Sequence, residues 1–198
     1  MNKIKIFFKV YFTLFTCIIF AQTEELSRHN EVNDFVKELT KKNIDTICDY
    51  ELFSAETEAM YTQYVFWKEN GKTKLKKIEL NSNFPIIEIE VDELWQYLFS
   101  NIEIIKTEEV KSFSFIKNNE TKEVVSQSED IKEFNLLLKG IMIKFWTSGF
   151  DFQKTEKIEG EKVNNIYFEY NKNLKGKSVI DQLQVITKKL EKLKAFKY

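Results

Sequence analysis

Hydrophobic positions along the chain switch between a helical period and a strand period. From Glu24 to Lys42, Leu26, Val32, Phe35, Val36 and Leu39 fall near one face at helical spacing. Glu24 and Glu25 sit where a helix dipole favours acids, and Lys41 and Lys42 sit at the opposite end. This predicts a first helix. Ile44–Phe53 satisfies neither period and reads equally as a short helix or a strand. Tyr61–Leu80 reads as a hairpin, with Tyr64, Val65, Phe66 and Trp67 as strand formers and Asn70-Gly71 as its turn. Asn-Gly tolerates the positive φ angles of a type I′ turn. That turn sets Phe66 opposite Leu75 and Tyr64 opposite Lys77.

Past Pro85, Ile87, Ile89 and Val91 alternate with Ile86, Glu88 and Glu90, as in a half-buried strand over Ile86–Val91. Asp92 is placed to cap a helix running to about Lys106, with Leu94, Trp95, Leu98, Phe99, Ile102 and Ile105 on its apolar face. Val110–Ile116 and Lys122–Val125 flank Asn118-Asn119 as a second hairpin. Over 131–149, Ile131, Phe134, Leu138, Ile141 and Phe145 keep helical spacing and predict a buried helix. The rival reading is a pair of strands bent at Lys139-Gly140, because Ile141, Ile143 and Phe145 also alternate. Phe150–Ile158 and Val163–Tyr170 read as a third hairpin around Glu159-Gly160. Ser178 and Asp181 resemble a capping box, opening a last helix with Val179, Leu183, Ile186, Leu190 and Leu193 on one face. The fold class that follows is α+β: a mainly antiparallel sheet built from hairpins, with helices near both ends of the mature chain and between hairpins.

The N-terminus follows a different logic. Lys3, Lys5 and Lys9 precede an apolar-rich run from Val10 to Ala21, after which Gln22, Thr23, Glu24 and Glu25 turn the chain polar. The run is too short to span a bilayer as a helix and reads as a signal peptide over residues 1–21. Residues 22–198 are then a single α+β domain. The protein is expected to be exported, to the periplasm or the cell exterior, with no stable membrane span after cleavage. Leu14-Phe15-Thr16-Cys17 is a poor lipobox, since Thr16 replaces the usual small residue and the apolar run continues past Cys17. Removal of 1–21 takes away three lysines and no acid, so the formal net charge goes from -1 to -4. Cys48 becomes the lone cysteine, expected as a small buried hydrophobe, so apolar packing must hold the domain together.

Composition removes several function classes. Thirty basic residues against 31 acidic ones give no electrostatic reason to expect nucleic acid. One His and two Cys exclude a zinc site of four such ligands. With five Gly there is little room for phosphate-binding or dinucleotide loops, and no metalloprotease, EF-hand or nucleophile-elbow motif occurs. No metal and no cofactor are expected.

The chemistry that remains is thin. His29, paired with Glu25 one turn earlier, reads as a helix-surface residue. Ser114 and Lys117 match the Ser-x-x-Lys spacing of penicillin-recognising enzymes, but strand alternation sends them to opposite faces. Glu88, Glu90, Asp92 and Glu93 form the best acidic group, of which Glu88, Glu90 and Asp92 share one face on a strand, for cation binding or acid/base work on a sugar. Tyr61, Tyr64 and Trp67 on the first hairpin, with Trp146 and Phe150 elsewhere, are the candidate aromatic surface for a carbohydrate or peptide. The Lys-rich stretch 188–197 reads as the solvated face of a packed helix. The resulting expectation is an exported, non-catalytic binding or interaction protein of the bacterial envelope, its partner another envelope or secreted protein. The alternative is a secreted carboxylate-dependent hydrolase, directed at sugar or cell wall, using Glu88, Glu90 and Asp92.

Overall fold

A computed structural model describes residues 30–54, 62–79, 82–124 and 130–197. Its centre is a sheet with strand order β4-β3-β2-β1-β8-β9, all neighbours antiparallel, and β5 on the outer edge of β3. The strands are β1 (Thr46–Ser54), β2 (Thr62–Glu69), β3 (Lys72–Glu79), β4 (Ser82–Asn83), β5 (Ile87–Ile89), β8 (Asp130–Leu138) and β9 (Ile141–Ser148). Two small hairpins stand outside it: β6 (Ser114–Lys117) with β7 (Glu120–Glu123), and β10 (Thr155–Ile158) with β11 (Glu161–Asn164). The helices are α1 (30–41), α2 (Asp92–Ile105), α3 (Phe168–Lys172) and α4 (Lys175–Lys192). Among the described residues no helix is long and apolar enough to cross a membrane. The fold is therefore α+β with a mainly antiparallel sheet and helices toward both ends of the chain, as the hydrophobic pattern predicts.

Local sequence explains much of this. Phe66 lies opposite Leu75 and Tyr64 opposite Lys77, the register set by the Asn70-Gly71 turn. Both turn residues have positive φ, 53° and 77°. The segment 131–147 is not a helix. It is the hairpin β8–β9, turning at Lys139-Gly140 with φ of 49° and 82°. A helical repeat and a strand repeat share residues in this apolar stretch. Pairing with β1 along the whole of β8 decides for strands.

Three smaller expectations are also revised. Asp92 does not cap α2: the N-cap position is Val91, and Asp92 lies in the first turn, where its charge meets the helix dipole. Ser178 lies inside α4 with its hydroxyl on the Leu174 carbonyl, so the Ser178–Asp181 capping box does not form. The third hairpin is shorter at both ends: residues 150–152 form a 3-10 turn, and α3 takes Phe168–Lys172.

Two apolar layers cover the sheet unequally. On one face α2 and α4 bury Cys48, Tyr50, Phe66, Leu75, Phe134, Leu136, Ile143 and Phe145 against Leu94, Trp95, Leu98, Val179, Ile180 and Leu183. On the other, α1 brings Val32, Phe35, Val36 and Leu39 down onto Ile47, Val65, Trp67 and Ile78. α4 approaches the sheet so closely at Gly176 that a Cβ there would overlap the Phe145 ring. Its N-terminus is capped from a distance by Glu108, whose carboxylate accepts from the Lys175 and Gly176 amides at 2.6 and 2.8 Å. Asn171, fully buried, ties the small hairpins to the body. Its side chain exchanges hydrogen bonds with the backbone of Lys111 and donates to the Asp151 carbonyl at 2.7 Å.

Candidate functional site

Trp146 stands apart from the other sequence-selected aromatics. On β9, Ile143, Phe145 and Thr147 point into the helix-covered core and are 5%, 3% and 1% exposed. The alternate residues face the other way, and Met142 and Trp146 are 57% and 51% exposed. Trp146 lies across from Glu133 on β8, and Ile131, on the same face, is 38% exposed. Between these apolar groups, Lys144 pairs with Glu133 at 2.8 Å and Asn135 donates to Asp49 and Glu133, both at 3.0 Å. α1 packs over β1, β2 and β3 and reaches Leu137 of β8, but leaves Ile131, Met142 and Trp146 exposed. β9 is also the last strand of the sheet, so its outer edge pairs with no described strand.

Tyr64 and Trp67 are placed differently. Trp67 is buried under α1, edge-on to Phe35 at 5.4 Å. Tyr64 is buried on the opposite face, 5.9 Å from Phe196, and its hydroxyl donates to Glu191 at 2.9 Å. Burial first, then this hydrogen bond and the neighbouring carboxylates, push the Tyr64 hydroxyl well above its ordinary range. Glu191 also pairs with Lys77 at 2.7 Å, and Lys77 reaches Glu79 at 2.8 Å. The Lys77 ammonium lies over the Phe84 and Phe196 rings, which fixes the end of the chain against the sheet. Burial works against the Lys77 charge, but its hydrogen bonds to the two carboxylates outweigh that and hold its pKa up. These two aromatics therefore lock the fold and present no ring to solvent. Tyr61 and His29 lie outside the described residues.

Glu88, Glu90 and Asp92 meet at one open cleft of about 910 Å³. The cleft runs between the β5–α2 connection and α4, and Glu93 and Asp181 join its lining, together with Val185 and Ile186. Asp181 is already paired with Lys177, and two of the acids selected from the sequence are paired too: Glu88 with Lys72 at 2.6 Å and Asp92 with Lys68 at 3.1 Å. Their side chains are 50% and 69% exposed. Among the described residues no group of three or more His, Cys, Asp or Glu is arranged to hold a metal ion. Ser114 is buried with its hydroxyl on the Ser112 carbonyl, while Lys117 turns away to Glu159. Cys48 is fully buried, and burial, with Asp49 beside it, pushes its thiol up into an unreactive state. Asp151 accepts from the Ser148 amide and hydroxyl at 3.0 and 2.7 Å, yet burial raises its pKa above the usual carboxylate value.

Sequence reasoning selected Trp146 but passed over Met142 and Ile131, because 131–147 was expected to be helical. The signal was there in the alternation of Met142, Lys144 and Trp146 against Ile143, Phe145 and Thr147. Asp181 had no such signal, since only α4 packing brings it beside the β5–α2 connection. The chain matches no family model, and no curated protein or solved structure is similar to it at a significant level.

Proposed function

We propose that the protein is an exported, non-catalytic binding protein of the bacterial envelope that meets a protein partner with the open β8–β9 half of its sheet. One observation carries this reading: an exposed Trp146 and Met142 on an edge strand whose alternate residues Ile143 and Phe145 are buried in the core. Exposed aromatic and methionine side chains are the groups that anchor protein interfaces. An open strand edge adds a row of backbone donors and acceptors for a partner strand. Lys144 and Glu133 supply a polar rim beside the apolar groups. Export rests on the sequence of residues 1–21, with the mature chain starting at Gln22. The test is co-purification from the exporting cell with wild type and Trp146→Ala as baits. A stoichiometric protein partner retained by wild type and lost by Trp146→Ala supports the proposal. The same partner recovered equally by both baits, or none by either, refutes it. Intact-mass measurement of the recovered bait reads the N-terminus, and an intact Met1 on soluble material would remove the export half of the reading.

A second reading has the cleft in its favour, since it gathers Glu88, Glu90 and Asp92 in a space large enough for a sugar unit. Carboxylate-dependent hydrolysis needs one acid kept protonated by burial and one free base. Here both Glu88 and Asp92 are solvated and salt-bridged. Hydrolysis of cell-wall glycan that disappears in Glu88→Gln/Glu90→Gln, with unchanged melting, would move the assignment to this reading.

A further inference from the structure

We infer that α4 is a self-association surface, on which a second copy of this chain packs antiparallel so that the lysine-bearing half of each α4 covers the acidic cleft of the other. The outward stripe of α4 runs Asp181, Gln182, Val185, Lys188, Lys189 and Lys192, spaced by three and four residues and so aligned along the helix. Its first half carries Gln182 and Asp181, the latter already paired with Lys177 one turn earlier, and its second half is basic. Val185 stands between them and is 67% exposed, although it lies in the middle of a helix whose other apolar residues pack inward. Leu193, just past the lysines, is 68% exposed. Lys188, Lys189 and Lys192 make no ion pair among the described residues, and the same is true of Glu90 and Glu93 in the cleft.

An isologous contact must be self-complementary. An antiparallel pairing centred on Val185 satisfies this: Val185 meets its copy, and Asp181 of each chain faces Lys189 of the other. Lys188 and Lys192 then extend over the rim where Glu88, Glu90, Asp92 and Glu93 lie. The stripe from Asp181 to Lys192 is about 16 Å long at helical rise, so both half-contacts fit along one helix. The alternative occupant of a lysine stripe with exposed Val and Leu is an anionic membrane surface. The charges argue against it. A membrane lying along α4 would also meet Glu90 and Glu93, the cleft acids that make no ion pair among the described residues, and these repel it, whereas in a second copy they meet the unpaired lysines. This surface is separate from the β8–β9 face, so the two proposals fail independently.

The test is sedimentation equilibrium on the protein purified from the cell that makes it. A dimer is expected whose Kd rises at least about tenfold from low salt to about 0.5 M salt, because screening weakens opposed charges. Lys189→Glu should weaken the dimer at least about tenfold. Adding Asp181→Lys to that variant should restore it, since the swap re-pairs both contacts. Val185→Glu, which brings like charges together on the symmetry axis, should leave a folded monomer with the wild-type circular dichroism spectrum and a melting temperature that no longer depends on concentration. A monomer at all concentrations, or a dimer indifferent to these changes, would overturn the inference. So would binding of the monomer to phosphatidylglycerol vesicles that Lys189→Glu abolishes.

Discussion

The two faces of the central sheet are made by the same strands and finished in different ways. On the face toward α2 and α4, β1, β2, β3, β8 and β9 contribute to one packed layer, and Phe145, stacked on Phe134 at 5.8 Å, lies beneath Gly176. On the opposite face, α1 covers β1, β2 and β3 and reaches Leu137 of β8, while Ile131, Met142 and Trp146 beyond it remain exposed. There the chain sets charged and amide side chains between exposed Trp146 and Met142. Phe145 and Trp146 are adjacent in sequence, similar in apolar bulk, and opposite in environment. The same residue type thus builds the core or offers a surface according to what packs over it, and strand alternation decides only which of two faces it joins.

The largest test of this contrast is a pair of alanine substitutions. Phe145→Ala should lower stability by about 3–5 kcal/mol, the usual cost of emptying a packed aromatic site. Trp146→Ala should change it by no more than about 0.5 kcal/mol while removing partner capture. Denaturant unfolding of the two variants side by side checks this, and comparable losses would mean that the β8–β9 face is as closed as its opposite. Next comes the support of the closed face. Glu108→Ala frees the first amides of α4 and should cost about 1–2 kcal/mol. Glu108→Gln, which keeps one acceptor, should recover part of that.

A smaller effect concerns Asp151, which anchors the loop following β9. Its folded-state pKa is raised by burial. The folded protein therefore holds that proton more tightly than the unfolded chain does. The associated stability is fully present below the unfolded value and is lost as pH rises through the folded one. Asp151→Asn should remove this slope, so urea midpoints of wild type and variant should converge in acid and separate above the carboxylate range. Midpoints that keep a constant offset would show that the group titrates normally. The smallest effect is at Tyr50, whose hydroxyl is buried with no hydrogen-bond partner among the described residues. Tyr50→Phe should leave stability unchanged or raise it by up to about 1 kcal/mol, because it removes a desolvated group that gains nothing in return.

Elements with a local signal were readable from the chain. Asn70-Gly71 fixed the first hairpin to the residue, and the apolar stripe Leu94, Trp95, Leu98 and Ile105 defined α2. Elements decided by distant partners were not readable. β1 shows no clear period because it lies between β2 and β8 and is buried on both sides, with Ile47 at 1% and Cys48 and Tyr50 at 0% exposure. The 139–140 turn was obscured because Lys replaces the usual Asn or Asp before Gly140. The start of α4 depends on Glu108, 67 residues away, in place of a local cap. The candidate site divides in the same way. Alternation places Tyr64 and Trp67 on opposite faces, but only the packing of α1 and of the C-terminal segment shows that both are covered.

The central claim is that a partner sits on the β8–β9 face, and site-specific photo-crosslinking in the exporting cell tests it most directly. A photoreactive residue at position 146 should give one adduct of defined mass. The same residue at position 99, exposed on α2 in the helical layer, should give none. Crosslinking at 99 and not at 146, or equal unspecific labelling at both, would contradict the account.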